Sequence, residues 1–560
     1  MPSTDVHALE LSRLLRFVGG LAGVVLVVYA LPGTDALRPW LPGEPVPLLR
    51  FVKGEGKVTE DERGLQSHDR TAPMPADTGA PSAGAPEALA DAPPEPAAEE
   101  PAPPDEAPPE GAAPADPEGA APPAPAGATR YATPELAADL PPPIDDAEDG
   151  LADLNAEPRD TSVGTMRQPG KGKLQDRKPA VGTPLEVPPG ALDAWHAALR
   201  AADRKEPGAI ARALHFGDST IAADGITKTV RQRLQDRFGD GGPGFVPVHA
   251  DLRWVQRTNI VRQAKGSWRT RNITHGGAGN AHYGLAGMVS TASGPSSSLL
   301  AGSPSGEGKE RQVLARFDVF YQLRPDGGSL SLQVPEQAAV DLSSKGEGVR
   351  DAFYDLRPEG GARQLVLGTG ADGPVTVYGV AMETAGPGVT WETLGVAGAG
   401  QGSMMRQGKN HLAQQIARRK PALLVYQMGG NELGYPSLKS GGGSVWLDRY
   451  KTIIGRVRAG APQASCLLIT PLDQGERVRG EVRSKPTLNL MIKLQRQTAA
   501  EVGCAFWDAR AAMGGPGSFG RWLGHKPSLA WADLYHLTGK GLHLVGNTLS
   551  DALIAAYEEG

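Results

Sequence analysis

Residues 422–432 carry the sequence Ala-Leu-Leu-Val-Tyr-Gln-Met-Gly-Gly-Asn-Glu, in which a short apolar run ends at two glycines and two polar side chains. Such a run is typical of a strand that is buried on both faces of a parallel sheet. A second run lies at residues 466–470, and residues 412–418, 450–457 and 488–502 have helical character. This alternation predicts an α/β domain with helices on both faces of a parallel sheet.

The same pattern also begins earlier in the chain and is then interrupted. A helix is predicted at residues 190–200, a short strand at 211–216 and a second helix at 221–238. Residues 252–388 change to the alternation of apolar and polar side chains that half-buried strands show, with a hairpin signature around Asp326-Gly327-Gly328. We therefore expect an all-β module inserted within one α/β domain.

The N-terminal segment, residues 1–35, contains an uncharged apolar run at residues 17–31. Two interpretations remain open. The run fits an uncleaved single-pass membrane anchor, which we favour, and it also fits a signal peptide cut after Ala30. Either interpretation puts the rest of the chain outside the cytoplasm. It would be held at the inner membrane with the folded domain in the periplasm or outside the cell, or else be secreted.

A long polar segment follows. Residues 54–185 are dominated by Ala, Pro, Gly and acidic side chains and contain too little apolar surface to form a core. They are predicted to be a disordered linker, and a loose coil of this length would reach roughly 60 Å. The linker would tether the folded domain, expected at residues 186–560.

Composition excludes several classes of protein. The chain has 560 residues and a formal net charge of -6, without a long basic run, so no nucleic-acid partner is expected. Its only two cysteines, Cys466 and Cys504, exclude a scaffold built on disulfides and a Cys-rich zinc site. Both cysteines lie in apolar runs, where they would be two buried thiols, or a disulfide if the two strands are neighbours.

Most histidines offer no metal motif. His249, His275 and His282 are too widely spaced for a compact metal site, and His411 has no acidic partner close to it in the sequence. No metal is therefore expected from the sequence pattern.

Three short motifs follow predicted strands or lie near the C-terminus. Gly217-Asp218-Ser219 would place Ser219 on a tight turn at the start of a helix, where backbone N–H groups can face an oxyanion. Asn431 follows a buried strand, and its amide can donate to the same oxyanion. Asp533 can orient the imidazole of His536, which would then accept a serine proton. Taken singly, each motif also fits an ordinary role: a helix cap, a Gly-Asn turn, and an Asp cap beside an exposed His.

Taken together and in this order, the motifs resemble blocks I, II, III and V of the SGNH (GDSL) hydrolases. The second block corresponds to Gly398, in the run Gly-Val-Ala-Gly-Ala that starts at residue 395. The resemblance covers about residues 190–250 and 390–560. It implies a flavodoxin-like, three-layer α/β/α fold, and catalysis that needs no metal or cofactor.

The resemblance also implies a role for each residue of the site. Ser219 would be the nucleophile and His536 its general base, with Asp533 orienting the base. The oxyanion hole would be formed by the N–H of Ser219, the N–H of Gly398 and the side-chain amide of Asn431. The resemblance implies no substrate-binding residues.

Some SGNH enzymes of bacterial envelopes carry a β-sandwich module of carbohydrate-binding type between blocks I and II, and the segment at residues 252–388 lies in that gap. These enzymes resemble peptidoglycan O-acetylesterases. The resemblance therefore implies an extracytoplasmic serine esterase that removes acetyl or another small acyl group from a cell-envelope polysaccharide such as peptidoglycan. Trp254, Trp268 and Tyr283 could stack on sugar rings, although such aromatic side chains more often belong to a core.

Other functions stay open. The same site could pass the acyl group to a sugar hydroxyl, which would make the protein an O-acetyltransferase on a cell-surface glycan. A catalytically inactive glycan-binding envelope protein is a second alternative, and a lipase or thioesterase a third. The glycan, the acyl group and the oligomeric state do not follow from the sequence.

Overall fold

The computed structural model describes residues 131–137, 183–249, 257–276, 279–305 and 310–560. The apolar N-terminal segment, interpreted as an anchor or a signal peptide, lies outside these residues, as does most of the expected linker. Among the residues that are described, no helix combines the length and the apolar character needed to cross a bilayer.

The described strands and helices are numbered along the chain. The strands are β1 (Glu135–Leu136), β2 (Ile210–Gly217), β3 (Gly244–Val246), β4 (Ile260–Lys265), β5 (Arg269–Asn272), β6 (Met288–Ala292), β7 (Ser296–Gly302), β8 (Pro304–Ser305), β9 (Glu310–Arg311), β10 (Arg316–Leu323), β11 (Ser329–Gln333), β12 (Val340–Ser343), β13 (Arg350–Leu356), β14 (Gln364–Thr369), β15 (Val375–Glu383), β16 (Gly388–Gly395), β17 (Leu423–Gln427), β18 (Ser465–Ile469), β19 (Gly475–Val478), β20 (Glu481–Ser484) and β21 (Ala505–Trp507). The helices are α1 (Asp193–Asp203), α2 (Ser219–Ala222), α3 (Gly225–Phe238), α4 (Gln401–Met405), α5 (Lys409–Arg419), α6 (Pro436–Lys439), α7 (Ser444–Ala459), α8 (Thr487–Val502), α9 (Ala509–Ala512), α10 (Ser518–Leu523) and α11 (Gly539–Glu559).

A five-stranded parallel sheet has the spatial order β16-β2-β17-β18-β21. Along the chain these are the second, first, third, fourth and fifth strands of the sheet, which is the order of flavodoxin-like folds. The predicted flavodoxin-like α/β/α fold is therefore confirmed for this part of the chain.

Successive side chains of each strand point to opposite faces of this sheet, and each face has its own core. Leu424 and Tyr426 of β17 pack with α5, α7 and α8. Leu423 and Val425 of the same strand pack with α1, α3 and α11. Because both faces are covered, β17 and β18 consist mostly of apolar residues, as the sequence pattern indicated.

A second body of structure lies between α3 and β16. Its larger antiparallel sheet has the order β1-β13-β10-β15-β6-β5, with β3 paired to β15, and the smaller has the order β12-β11-β14-β7-β4. An apolar core with side chains from both sheets lies between them, which is the arrangement of a β-sandwich. We call this body the β module.

The hairpin predicted around Asp326-Gly327-Gly328 is wrong. The turn joins β10 to β11, but β10 pairs with β13 and β15 while β11 pairs with β12 and β14. The chain crosses from one sheet of the module to the other at this turn. The second turn of the same kind, at Asp372-Gly373, also joins strands of different sheets, β14 and β15. Alternation of side chains identifies a strand but does not select its partner.

Part of the expected linker is ordered. Within residues 54–185, residues 131–137 contain β1, which pairs antiparallel with β13. Ala137 N–H also donates to Asp351 O at 3.1 Å, and Glu135 forms an ion pair with Arg418 at 2.5 Å. The physical reason is that an exposed sheet edge can bind a short extended segment through its backbone, which needs little apolar surface.

Buried charges fix the β module to the helix layer. Arg419 of α5 is fully buried and pairs with Glu383 of β15 at 3.0 Å and with Glu392 of β16. The neighbouring Arg418 pairs with Asp318 of β10 at 2.8 Å. Glu392 would be left as an uncompensated buried charge without Arg419, whereas Glu383 and Asp318 also pair with Arg316, so the ion pairs form one network that holds the two bodies in one arrangement.

The two cysteines form a disulfide. Cys466 lies on β18, and Cys504 directly precedes β21, the strand that pairs with β18. The Cα atoms are 4.7 Å apart. Of the two possibilities that the sequence left open, the structure has the disulfide, because the two strands are neighbours in the sheet.

Candidate active site

Two of the three motifs, and the loop of Gly398, follow one row of residues across the parallel sheet. Gly395, Gly217, Gln427 and Ile469 are paired in register at the carboxyl ends of β16, β2, β17 and β18. The loops beyond this row carry Gly398, Ser219 and Asn431. Open α/β sheets bind their ligands at this edge.

Two glycines allow the nucleophile turn to fold tightly against the strand ends. A Cβ on Gly217 would lie 2.2 Å from Ile221 Cγ1, and one on Gly395 would lie 2.2 Å from the backbone nitrogen of Ala222. Neither position accepts a larger residue without a shift of α2. Asp218 caps this short helix, since its Oδ1 accepts the Thr220 N–H at 2.9 Å. Ser219 is therefore the first residue of α2.

Ser219, His536 and Asp533 form a continuous chain of hydrogen bonds. Ser219 Oγ is 3.0 Å from His536 Nε2, and His536 Nδ1 is 2.7 Å from Asp533 Oδ2. An ionised carboxylate can only accept, so the imidazole proton is on Nδ1 and Nε2 is free to accept from the serine hydroxyl. Burial would raise the pKa of Asp533, but hydrogen bonds from the His536 side chain and from two backbone N–H groups hold it below its usual value.

The loop that carries His536 and Asp533 is a compact turn and not a helix. Asp533 Oδ1 accepts the N–H groups of Tyr535 and His536, each at 2.9 Å. Leu534 has a φ of 63°, a left-handed conformation that is uncommon for residues other than glycine. The next helix, α11, is capped by Thr538 and not by Asp533. The Asp533 carboxylate therefore accepts hydrogen bonds from His536 and from the backbone of this turn, and does not cap the next helix.

The three expected oxyanion donors lie on adjacent loops. In the part of the chain that is described, the N–H groups of Ser219 and Gly398 donate to no protein acceptor. Gly398 is exposed and has a φ of 77°, and a side chain there would meet no neighbour. Asn431 Nδ2 donates one hydrogen to Ala399 O at 2.8 Å, which binds it to the loop of Gly398 and leaves its second hydrogen available.

Sequence reasoning missed the side chains that support these donors. Glu432 is buried, and its Oε2 accepts the Trp446 Nε1–H at 2.6 Å while its Oε1 accepts the N–H of Gln401, the first residue of α4. Tyr535 donates its hydroxyl hydrogen to Asn431 Oδ1 at 2.8 Å. The position of Tyr535 beside His536 was the one available signal, but nothing in the sequence connects it to a residue 104 positions away.

A small cavity lies beside the nucleophile turn. Its lining includes Asp218, Thr220, Gln427, Gly430 and Tyr535. Burial raises the pKa of Asp218, although its hydrogen bond from Thr220 acts in the opposite direction. The cavity has a mixed polar and apolar lining, which also includes Pro471 and Leu472, and lies between the loops after β2, β17 and β18.

One group of described side chains has the spacing of a metal site, but its hydrogen bonds do not suit a metal ion. His282, Asp351 and His411 offer ligand atoms within 4.8 Å of one another. His411 Nε2 accepts the Gly284 N–H at 2.7 Å, so its proton is on Nδ1, which lies 2.6 Å from Asp351 Oδ2. Both ring nitrogens are thus engaged, and burial, although opposed by Asp351, lowers the pKa of His411. The group is a polar contact between the β module and α5.

The aromatic side chains considered for sugar stacking lie in the core where they are described. Trp268 is 7% exposed and donates its Nε1–H to Ser297 O, and Tyr283 is 2% exposed. Trp254 lies outside the described residues. The prediction that Trp268 or Tyr283 stacks on a sugar is therefore wrong, since both rings already pack against protein.

Residues 361–544 match the model of the GDSL-like Lipase/Acylhydrolase family. This stretch contains Gly398, Asn431, Asp533 and His536 but not Ser219, which the β module separates from it in sequence. No curated protein sequence matches the chain.

Solved structures with a similar fold include one described as "Peptidoglycan O-acetylesterase in action, 5 min". It has a TM-score of 0.56 and 20% sequence identity, and the match covers 66% of this chain and 98% of that chain. An acetylxylan esterase from Geobacillus stearothermophilus matches with a TM-score of 0.22 and 20% identity, over 30% of this chain and 73% of that chain. At 20% identity, the likeness to the first of these structures concerns the fold alone.

Proposed function

We propose that this chain, a serine acylhydrolase of the SGNH (GDSL) type, removes acetyl groups from a cell-envelope glycan such as peptidoglycan. The observation that carries the proposal is the unbroken hydrogen-bond chain from Ser219 Oγ through His536 to Asp533 at the carboxyl edge of the sheet.

The geometry supports a two-step acyl transfer. Ser219 Oγ attacks the ester carbonyl carbon while its proton passes to His536 Nε2, 3.0 Å away. The negative charge on the carbonyl oxygen is stabilised by the N–H groups of Ser219 and Gly398 and by Asn431 Nδ2. The bond to the sugar oxygen then breaks, and the imidazolium returns its proton to that oxygen. Water repeats the sequence on the acyl-enzyme, releases acetate and restores the Ser219 hydroxyl.

Exposure of the triad favours water as the second acceptor. The side chains of His536 and Asp533 are 44% and 45% exposed. Transfer to a second sugar would need the acyl-enzyme to be shielded from solvent until that sugar binds. We therefore favour hydrolysis over O-acetyltransfer. We favour either activity over a glycan-binding protein without activity, because the triad is complete.

The β module supports a glycan as the substrate. The likeness to the structure described as a peptidoglycan O-acetylesterase extends over 66% of this chain, a larger share than the parallel sheet and its helices occupy, so it includes most of the module. An acetylated polymer would need a long surface beside the triad, and the module is held next to α5 by buried ion pairs. The substrate named in the description of the similar structure is the reason for proposing peptidoglycan here.

We propose an extracytoplasmic location at the inner membrane. The Cys466–Cys504 disulfide supports an oxidising compartment such as the periplasm, because cytosolic thiols are kept reduced. The apolar run at residues 17–31 supports a membrane anchor or a cleaved signal peptide. The location can be tested by fractionation of cells with antibody against the folded domain.

The activity is tested by acetate release from three substrates: p-nitrophenyl acetate, O-acetylated peptidoglycan and acetylated xylan. The full chain is compared with Ser219→Ala and His536→Ala, which remove the nucleophile and the base. We expect release from p-nitrophenyl acetate and from peptidoglycan, and at least a thousandfold loss in both variants. The variants should keep the unfolding temperature of the wild type, since both side chains are partly exposed.

Each other result would contradict part of the proposal. Acetate release from xylan but not from peptidoglycan would mean that the substrate is a different glycan. Ester turnover that rises with added sugar acceptors, with acetyl recovered on the sugar, would establish the transferase. No turnover on any substrate by a folded protein that sediments with peptidoglycan would leave a glycan-binding protein.

A further inference from the structure

Tyr535 joins the two halves of the catalytic site. Its backbone N–H donates to Asp533 Oδ1 at 2.9 Å, beside the base. Its hydroxyl donates to Asn431 Oδ1 at 2.8 Å, on the loop after β17. Among the residues described, this side chain thus connects the loop of the base to an expected oxyanion donor.

The contacts of Asn431 determine which way its amide points. Ala399 O is a carbonyl oxygen and can only accept, so the group that faces it at 2.8 Å must be Nδ2. Oδ1 then faces the Tyr535 hydroxyl, which must donate. If the amide turned over, two oxygens would face each other at Ala399, and Nδ2 would face the tyrosine. Ala399 O therefore selects the orientation in which the second Nδ2 hydrogen is free for an oxyanion, and the Tyr535 hydroxyl, which donates to Oδ1, holds the amide in that place.

The surroundings of the hydroxyl keep it in place as a donor. A Cβ on Gly430 would lie 2.7 Å from the Tyr535 hydroxyl oxygen and 2.5 Å from Gln474 Nε2, so the second glycine of the Gly-Gly-Asn run leaves room for both groups. Burial, and to a smaller extent the carboxyl of Asp218, raises the pKa of Tyr535 well above its usual range, although side-chain hydrogen bonds with Gln474 and Ser219 act in the opposite direction. The hydroxyl therefore keeps its hydrogen throughout the working pH range of a histidine base.

We infer that Tyr535 is a positioning residue of the oxyanion hole, which acts by fixing the amide of Asn431 so that Nδ2 faces the developing charge. The inference rests on the serine esterase activity and not on the identity of the glycan. Stabilisation of an oxyanion depends on donors that are oriented before the charge develops. Loss of the hydroxyl should therefore reduce the rate of acylation and leave ground-state binding nearly unchanged.

The test is a double-mutant cycle with Tyr535→Phe and Asn431→Ala, measured on the full chain with p-nitrophenyl acetate. We expect Tyr535→Phe to lower kcat about tenfold and to change KM by less than about twofold. Asn431→Ala should lower kcat by about 10² to 10³. In the Asn431→Ala background, Tyr535→Phe should have almost no further effect, because the group it orients is gone.

Tyr426→Phe is the matched control. The Tyr426 hydroxyl is buried without a hydrogen-bond partner in the described structure, so its removal should change neither kcat nor the unfolding temperature. A merely structural role of Tyr535 would appear as a lower unfolding temperature without the split between kcat and KM. Phe keeps the ring, so we expect the temperature to stay within about 2 °C of the wild type.

Two results would overturn the inference while the esterase stands. One is an unchanged kcat in Tyr535→Phe. The other is an equal loss in the native and the Asn431→Ala backgrounds, which would mean that Tyr535 acts on Ser219 or the substrate directly. Wild-type protein without turnover, or turnover that survives Ser219→Ala, would overturn the esterase and the inference together.

Discussion

Replacement of Asp533 by Asn should disable the base while leaving the loop intact. Asp533 Oδ1 accepts two backbone N–H groups at 2.9 Å, and an Asn Oδ1 can keep both. Its Nδ2 would replace Oδ2, which now accepts His536 Nδ1–H at 2.7 Å. A donor at this place moves the imidazole proton to Nε2, so that His536 would donate to Ser219 Oγ and could no longer take its proton.

The size of the effect follows from the tautomer and from solvent exposure. In a shielded triad the same exchange lowers kcat by about 10⁴. Here the side chains of His536 and Asp533 are 44% and 45% exposed, so water screens part of the interaction between the carboxylate and the imidazolium. We therefore expect a loss of about 10³ in kcat, which corresponds to about 4 kcal/mol of transition-state stabilisation.

The assay is the kcat for p-nitrophenyl acetate together with the unfolding temperature. Asp533→Ala serves as the comparison, because it removes the acceptor of the two backbone N–H groups as well as the partner of the histidine. It should lose similar activity and, in addition, unfold at a lower temperature than Asp533→Asn. If Asp533→Asn retained more than a tenth of the wild-type kcat, the tautomer argument would be refuted.

Three further predictions concern stability. Burial lowers the pKa of His215 from 6.5 to about 3. Between these pH values the unfolded chain binds a proton that the folded chain lacks, so His215 lowers the free energy of unfolding by about 1.4 kcal/mol for each unit that the pH falls. His215→Phe should therefore lose less free energy of unfolding than the wild type between pH 6 and pH 4, as measured by urea unfolding. An equal loss in both proteins would contradict the lowered pKa of His215. Replacing Cys466 and Cys504 together by Ser should lower the free energy of unfolding by about 4 kcal/mol, given their separation of 38 residues. Alkylation of cysteine thiols in the unfolded wild type without a reductant would show that no disulfide exists. Arg419→Met should cost about 3–5 kcal/mol in the same unfolding assay, because the buried Glu392 loses its ion-pair partner while Glu383 keeps Arg212 and Arg316, and a cost below about 1 kcal/mol would mean that Glu392 is protonated or hydrated.

The side chains proposed as catalytic were within reach of the sequence because each lies beside a local feature with few meanings. Ser219 follows a glycine at the end of a strand, Asn431 follows a buried run, and Asp533 and His536 are three residues apart. Their common place also followed from the sequence, since parallel strands end at the same edge of a sheet. The order of the strands in the sheet is the order that the resemblance implied.

Contacts between distant residues were out of reach. The amide of Asn431 meets the hydroxyl of Tyr535 across 104 residues, and neither side chain has a local feature that points to the other. His411 and Asp351 likewise meet only when the β module packs on α5. The strand pairing inside the module failed for a related reason, since a turn with glycine fits a hairpin and also fits a crossing between two sheets.

The segment at residues 131–137 determines where tension along the chain would reach the folded protein. Counted from the N-terminus, it is the first described segment, and β13 and Arg418 hold it at the edge of the β module. A pull from any upstream attachment would therefore load this short ladder before it reached Thr183, whose carbonyl is bound by Trp507 of β21. The module would bear the load, and the loops of Ser219 and His536 would stay unstrained.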